Sequence, residues 1–163
     1  MKKQQASSSL KKVVVVQSDG TILRGYVNPS GLGHEESVSL LTQEGEHKEI
    51  PLGQIRCLYF VREFTASFAP SRKEFLSRPK LDGLWVRLKF HDQDVLEGVV
   101  PNDLLAILDS GVHITPPDLH GDTLRMFIPR TALVEMKVLG VVGIARRKPA
   151  AAAAAAQPVL FPE

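Results

Sequence analysis

Val13–Val27 (VVVVQSDGTILRGYV) and Val86–Val100 (VRLKFHDQDVLEGVV) carry one pattern twice, and that repetition decides the fold. At a constant offset of 73, Asp19 meets Asp92, Ile22 meets Val95, Leu23 meets Leu96 and Gly25 meets Gly98. Each stretch reads as an apolar run of strand length, a polar turn and a second β-rich run, which together make a hairpin. Farther on, Ile50–Ile55 (IPLGQI) matches Ile128–Leu133 (IPRTAL) at an offset of 78, so the second copy holds five extra residues in between. Two copies of one small fold are expected.

Outward from the first hairpin, SVSLLT and HKEI supply two short strands around the turn QEGE, and IRCLYFV supplies a long apolar fifth. Between the fourth and fifth lies PLGQ, where Pro51 cannot donate to a ladder, which suits a single 3₁₀ turn. The second copy repeats the order with LWVRLKF, VLEGVV, LLAILD, HITP, RMFIP and LVEMKVLGVV, and Pro129 takes the place of Pro51. Five short strands with one tight turn before the last predict a small, strongly bent barrel. Gly20 belongs to the first turn, while Gly25 and Gly98 sit in mid-strand and are read as bend points.

The predicted divisions are a basic N-terminus at 1–12, a first barrel at 13–64, a linker at 65–82, a second barrel at 83–144 and an Ala/Pro tail at 145–163. Pro70 followed by SRKEFLSR and Pro79 predicts a two-turn helix in the linker. The tail, with seven consecutive alanines, is expected to be disordered. Units of this size bury too little surface to be robust alone, so the two copies are expected to pack on each other or on another chain.

Residues 13–144 hold 13 Lys and Arg against 17 Asp and Glu, whereas the two ends hold seven basic residues and one acidic. A mildly acidic body argues against a broad nucleic-acid surface, since phosphate contacts dominate that affinity. The single cysteine, Cys57, falls in an apolar strand and reads as a buried, inert thiol suited to a reducing compartment. No stretch approaches the roughly 20 apolar residues of a membrane span, so a cytoplasmic protein is expected.

The apolar strand, the turn Asp19-Gly20, Ile22, the step to Gly25 and the stretch Ile50–Val61 resemble the Sm-like fold. The second copy departs from that pattern by placing Gln93 where the turn glycine would sit. Through VLEGVVPNDLL, TPPD, RMFIPRTAL and VLGVVG, residues 11–144 also resemble an uncharacterised bacterial family. The resemblance implies an all-β fold of two tandem five-stranded Sm-like (SH3-like) barrels. Sm-like proteins generally form rings and bind RNA through particular loop residues. Here the corresponding loops read Asn-Pro-Ser-Gly-Leu-Gly at Asn28–Gly33 and Ile-Pro-Leu at Ile50–Leu52, which do not reproduce that site.

Asn28, Ser30 and Gly33 fit half of the dinucleotide motif of PilZ domains, but Arg24 is the only arginine before them, so the phosphate-neutralising half is missing. His91, Asp92 and Asp94, and again His113, Asp118 and His120, have no recognised ligand spacing and fall in turns. No nucleophile elbow or phosphate-cradling loop appears. The expectation is a non-enzymatic interaction module with no cofactor and no metal, binding a protein partner or itself. Its binding residues are expected on loops held by a rigid barrel, namely Asn102, Asp103, Asp118 and Arg125. Val138–Val142 is the stretch expected to offer an edge for self-association. In the tail, Gln157, Leu160 and Phe161 resemble the Gln-x-x-Leu-Phe peptide that docks on bacterial sliding clamps. The alternative function is RNA or single-stranded nucleic-acid binding helped by the basic ends. It needs exposed aromatics, whereas Tyr59, Phe60, Trp85 and Phe90 sit in strand patterns that read as internal.

Overall fold

A computed structural model describes residues 10–64, 72–117 and 123–143. Five strands form the first repeat: β1 (Lys11–Gln17), β2 (Ile22–Val27), β3 (Ser37–Thr42), β4 (His47–Pro51) and β5 (Ile55–Val61). The second holds β6 (Gly83–Phe90), β7 (Val95–Val100), a short helix α1 (Leu104–Leu108), β8 (Gly111–Ile114), β9 (Thr123–Pro129) and β10 (Leu133–Val142). The fold is all-β, as the alternating apolar runs and Gly/Pro turns require.

The repeat is visible in the hydrogen-bond registers. Lys11 lies opposite Val27 as Leu84 lies opposite Val100, and Val13 opposite Gly25 as Val86 opposite Gly98. The last strands repeat as well: β5 bulges at Arg56 against β1, and β10 bulges at Val134 against β6. Ser37 faces Pro51 as Gly111 faces Pro129, so the offset grows from 73 to 74 across the α1 loop and to 78 within the β8–β9 hairpin. Both repeats end their fourth strand in Pro51 or Pro129 and turn through the expected 3₁₀ segment, at Leu52–Gln54 and Arg130–Ala132.

The two repeats do not close into separate barrels. Seven strands join as β4-β3-β2-β1-β5-β9-β8, so β5 of the first repeat continues directly into β9 of the second. A three-stranded sheet β10-β6-β7 is linked to it by the bridge between Val99 and Thr115. The reason lies in the runs read as single strands. Side chains alternate between sheet faces, so Val13 and Val15 enter one core while Val14 enters another. Along β5, Leu58 and Phe60 join the first core, and Cys57, Tyr59 and Val61 join the second. Along β9, Phe127 packs in the first core and Met126 and Ile128 in the second. β1, β5 and β9 are thus covered on both faces, which is why VVVV and CLYFV are continuous rather than alternating. Each core contains residues from both repeats.

Two local expectations are corrected. LLAILD is not a strand: five of its residues form α1, because Asp103 caps the first turn by accepting the Leu105 N–H at 3.1 Å and leucine and alanine are strong helix formers. No helix forms over Arg72–Asp82, the described part of the linker. There the chain runs beside β7 instead: the Glu97 N–H donates to the Lys73 carbonyl at 2.7 Å, and Phe75 packs edge-on against Trp85. Gly25 and Gly98, read as bend points, also lie where backbone or side chain approaches closely. A Cβ on Gly25 would strike the Leu41 carbonyl, and one on Gly98 would lie 2.6 Å from Ile114 Cδ1. The turn at Gly20 has φ +91°, and its counterpart Gln93 is held at φ 71°, strained for a side-chain-bearing residue.

Candidate interaction surface

The second repeat leaves β7 through Pro101, Asn102 and Asp103, and the Asp103 cap sets the direction of α1. One turn of helix cannot bury much of itself, and Leu104, Leu105 and Leu108 are 68%, 76% and 60% exposed. The helix is held at both ends. Asp103 satisfies its N-terminus, and the Arg130 guanidinium donates to the carbonyls of Ile107 and Asp109 at its C-terminus. The Arg130 N–H also donates to the Ser110 carbonyl at 2.8 Å, and the Ser110 N–H donates to the Gly33 carbonyl of the first repeat at 3.2 Å. His34 and Asp109 approach to 3.7 Å across the same seam. The result is a leucine ridge stitched to both repeats and directed outward, where leucine gains nothing unless something covers it.

Of the residues expected at the rim, Asn102 and Asp103 lie at the foot of this ridge, and Asp103 has a structural duty as the cap. Arg125 stands on β9, its guanidinium 4.4 Å from the centre of the Phe60 ring on β5. It belongs to the joint between repeats. Asp118, Gln157, Leu160 and Phe161 lie outside the described residues. The leucines themselves were hidden from sequence reasoning by the strand reading of LLAILD. The signal that could have found them is an Asp cap followed by a leucine run without β-branched neighbours at its start.

The turn HDQD is an electrostatic seam between the repeats. Arg56, the bulge residue of β5, reaches Asp92 at 2.5 Å and Asp94 at 2.9 Å while its guanidinium lies 4.1 Å from the centre of the Phe90 ring. Lys73 completes the cluster at 2.8 Å from Asp94. Its hydrogen bond and charge, joined by Arg56, hold the Asp94 carboxyl below the usual range. His91 Nε2 meets the Thr131 carbonyl at 2.9 Å. Among the described residues, no group of three His, Cys, Asp or Glu side chains is arranged to hold a metal.

Several buried polar groups serve the scaffold. The Glu97 carboxylate, nearly enclosed, accepts from Trp85 Nε1 at 3.0 Å and the Phe75 N–H at 3.2 Å and pairs with Arg87 at 3.4 Å. Burial pushes the Cys57 thiol up to about 12, which makes it inert. Burial, reinforced by the charge of Arg125, pulls His113 down, and its Nδ1 is enclosed without a partner among the described residues. A shallow cleft of about 310 Å³ opens beside β2 and β3, lined by Tyr26, Asn28, Ser30, Glu35, Ser39 and His47 among others. Four of its polar side chains are engaged locally: Asn28 Oδ1 accepts from the Ser30 N–H and hydroxyl, and Glu49 accepts from the hydroxyls of Ser37 and Ser39. Among the described residues, no helix is long and apolar enough to cross a membrane.

A comparison with protein families matches residues 9–140, both repeats together, to a family described as "Family of unknown function (DUF6982)". The chain belongs to that family. The match spans the seam, the ridge and all but the last two residues of β10. Curated proteins and solved structures give no match.

Proposed function

We propose that this DUF6982 protein is a non-catalytic interaction module of the cytoplasm, built from two opened Sm-like units, and that it takes a protein partner on the α1 ridge. The observation that carries the reading is the trio Leu104, Leu105 and Leu108, exposed yet fixed by Asp103 and Arg130. Apolar side chains on a rigid support lose little entropy on binding and gain by desolvation, the economy of a helix-in-groove contact. The Sm-like part rests on the common strand order: β4-β3-β2-β1-β5 in the first repeat and β9-β8-β7-β6-β10 in the second, counting the Val99–Thr115 bridge. The nucleic-acid alternative is less supported, because Tyr59, Phe60 and Phe90 are buried and Trp85 is tied to Glu97.

The test compares the full chain with a Leu104→Ser/Leu105→Ser/Leu108→Ser variant in crosslinking and affinity capture from the native cell. Loss of a specific protein with the triple variant, whose folding is checked by circular dichroism, is the expected result. Equal recovery would remove the ridge from the reading. Salt-sensitive binding of a single-stranded oligonucleotide that persists without both basic ends would replace the reading with the nucleic-acid one.

A further inference from the structure

β10 is the terminal strand of its sheet, ten residues long, with no strand beside its outer edge among the described residues. Such an edge carries a row of backbone donors and acceptors ready to pair. Val134 and Val138 stand on it 49% and 53% exposed. At its far end the edge is closed, because the Arg78 guanidinium donates to the Val141 carbonyl. Bulges against β6 at Val134 and Leu139 leave Glu135–Val138 as the regular part of the strand.

The sequence of this stretch, Leu133-Val-Glu-Met-Lys-Val-Leu139, is a palindrome in chemical type about Met136. We propose that β10 pairs antiparallel with β10 of a second copy about a two-fold axis through Met136, making a symmetric dimer whose three-stranded sheets fuse. In that register Glu135 lies opposite Lys137 of the other copy, twice by symmetry, and Val134 lies opposite Val138, also twice. Opposite charges and apolar pairs directly across an antiparallel ladder stabilise it, and a self-complementary patch is what a two-fold interface requires. Leu133 and Met136 already lean on the core of their own copy, so the strand is fixed before it pairs.

The competing arrangement copies the internal joint between repeats. There Tyr59 of β5 faces Met126 of β9. Shifted by the repeat offset of 78, that register would set Lys137 of β10 against Lys48 on β4 of the next copy, and Met136 against Glu49. Like charges directly opposed disfavour it. The outer residues of β4, His47, Lys48 and Glu49, are exposed and polar, as on an edge guarded against pairing.

The dimer rests on the reading of the chain as an interaction module but uses a surface separate from the α1 ridge. Analytical ultracentrifugation of the full chain, in a concentration series reaching the order of 1 mM, tests it with Glu135→Lys, Lys137→Glu, the double variant and the leucine-to-serine triple variant. Both charged positions are exposed, so the variants fold normally, which far-ultraviolet circular dichroism verifies. A wild-type dimer, weakened about tenfold or more by either single change and recovered by the double swap, is expected. A monomer throughout the series, assembly beyond a dimer, or single variants that dimerise like wild type would each overturn the proposal. Dimerisation lost only in the leucine variant would overturn the β10 pairing while leaving the ridge as a docking surface.

Discussion

Replacing Phe127 by alanine is expected to loosen the first repeat, although the residue belongs to the second. Phe127 is fully buried among Val13, Val15, Leu40, Leu58 and Phe60, and its ring also meets His113 at 4.9 Å between centres. Removing a fully buried phenylalanine costs about 3–5 kcal/mol, a large share of the roughly 5–15 kcal/mol by which a domain is stable. With a urea dependence of about 2 kcal/mol/M, the unfolding midpoint falls by about 1.5–2.5 M. Hydrogen exchange then shows where the loss is felt. Amides of β2, β3 and β4, none of which is paired with β9, lose protection together with those of β8 and β9. Unchanged protection in β2–β4, or a loss below about 1 kcal/mol, would refute the shared core.

Gln93→Gly relieves a left-handed residue in the β6–β7 turn and is expected to raise stability by about 0.5–1 kcal/mol, read as a higher thermal midpoint. Gly25→Ala forces a Cβ into the Leu41 carbonyl and is expected to cost about 2 kcal/mol or more in urea unfolding, outweighing the small gain from reduced entropy of the unfolded chain. His113, lowered by burial, favours the folded state fully above its ordinary value of 6.5, and that contribution disappears as pH falls below it through the depressed folded value. Asp94, also lowered, adds stability above its ordinary value of 3.8 that is lost at still more acid pH. Stability measured from pH 8 downward therefore declines in two stages, and His113→Phe is expected to remove the first. A flat profile between pH 7 and pH 5 would contradict the His113 part.

The features legible in the sequence are those set by near neighbours. The Asp19-Gly20 turn, the paired prolines before the 3₁₀ turns and the repeat register are local, and the chain realises them as read. The buried Cys57 followed from its run. What lay across the second face of β1 and β5 was not legible, because a continuous apolar run reports burial on two sides without naming the neighbour. The two copies pack on each other, as their small size required, but through two merged cores instead of as two closed barrels. Glu97 is turned away from Leu96 by strand alternation and is nonetheless buried. Its cover is the segment Lys73–Phe75, brought there by contacts that linker propensities do not report. The α1 ridge was misread because a five-residue apolar run fits strand and helix alike, and the Asp103 cap decides between them.

The interlocking of the two repeats is tested most directly by equilibrium unfolding of the wild-type chain followed with two signals. Trp85, the only tryptophan, reports the second repeat by fluorescence, while far-ultraviolet circular dichroism reports the strands of both repeats. One transition with coincident midpoints is predicted. Separate transitions, with the tryptophan signal changing while about half the β signal persists, would show two independent domains and contradict the shared cores.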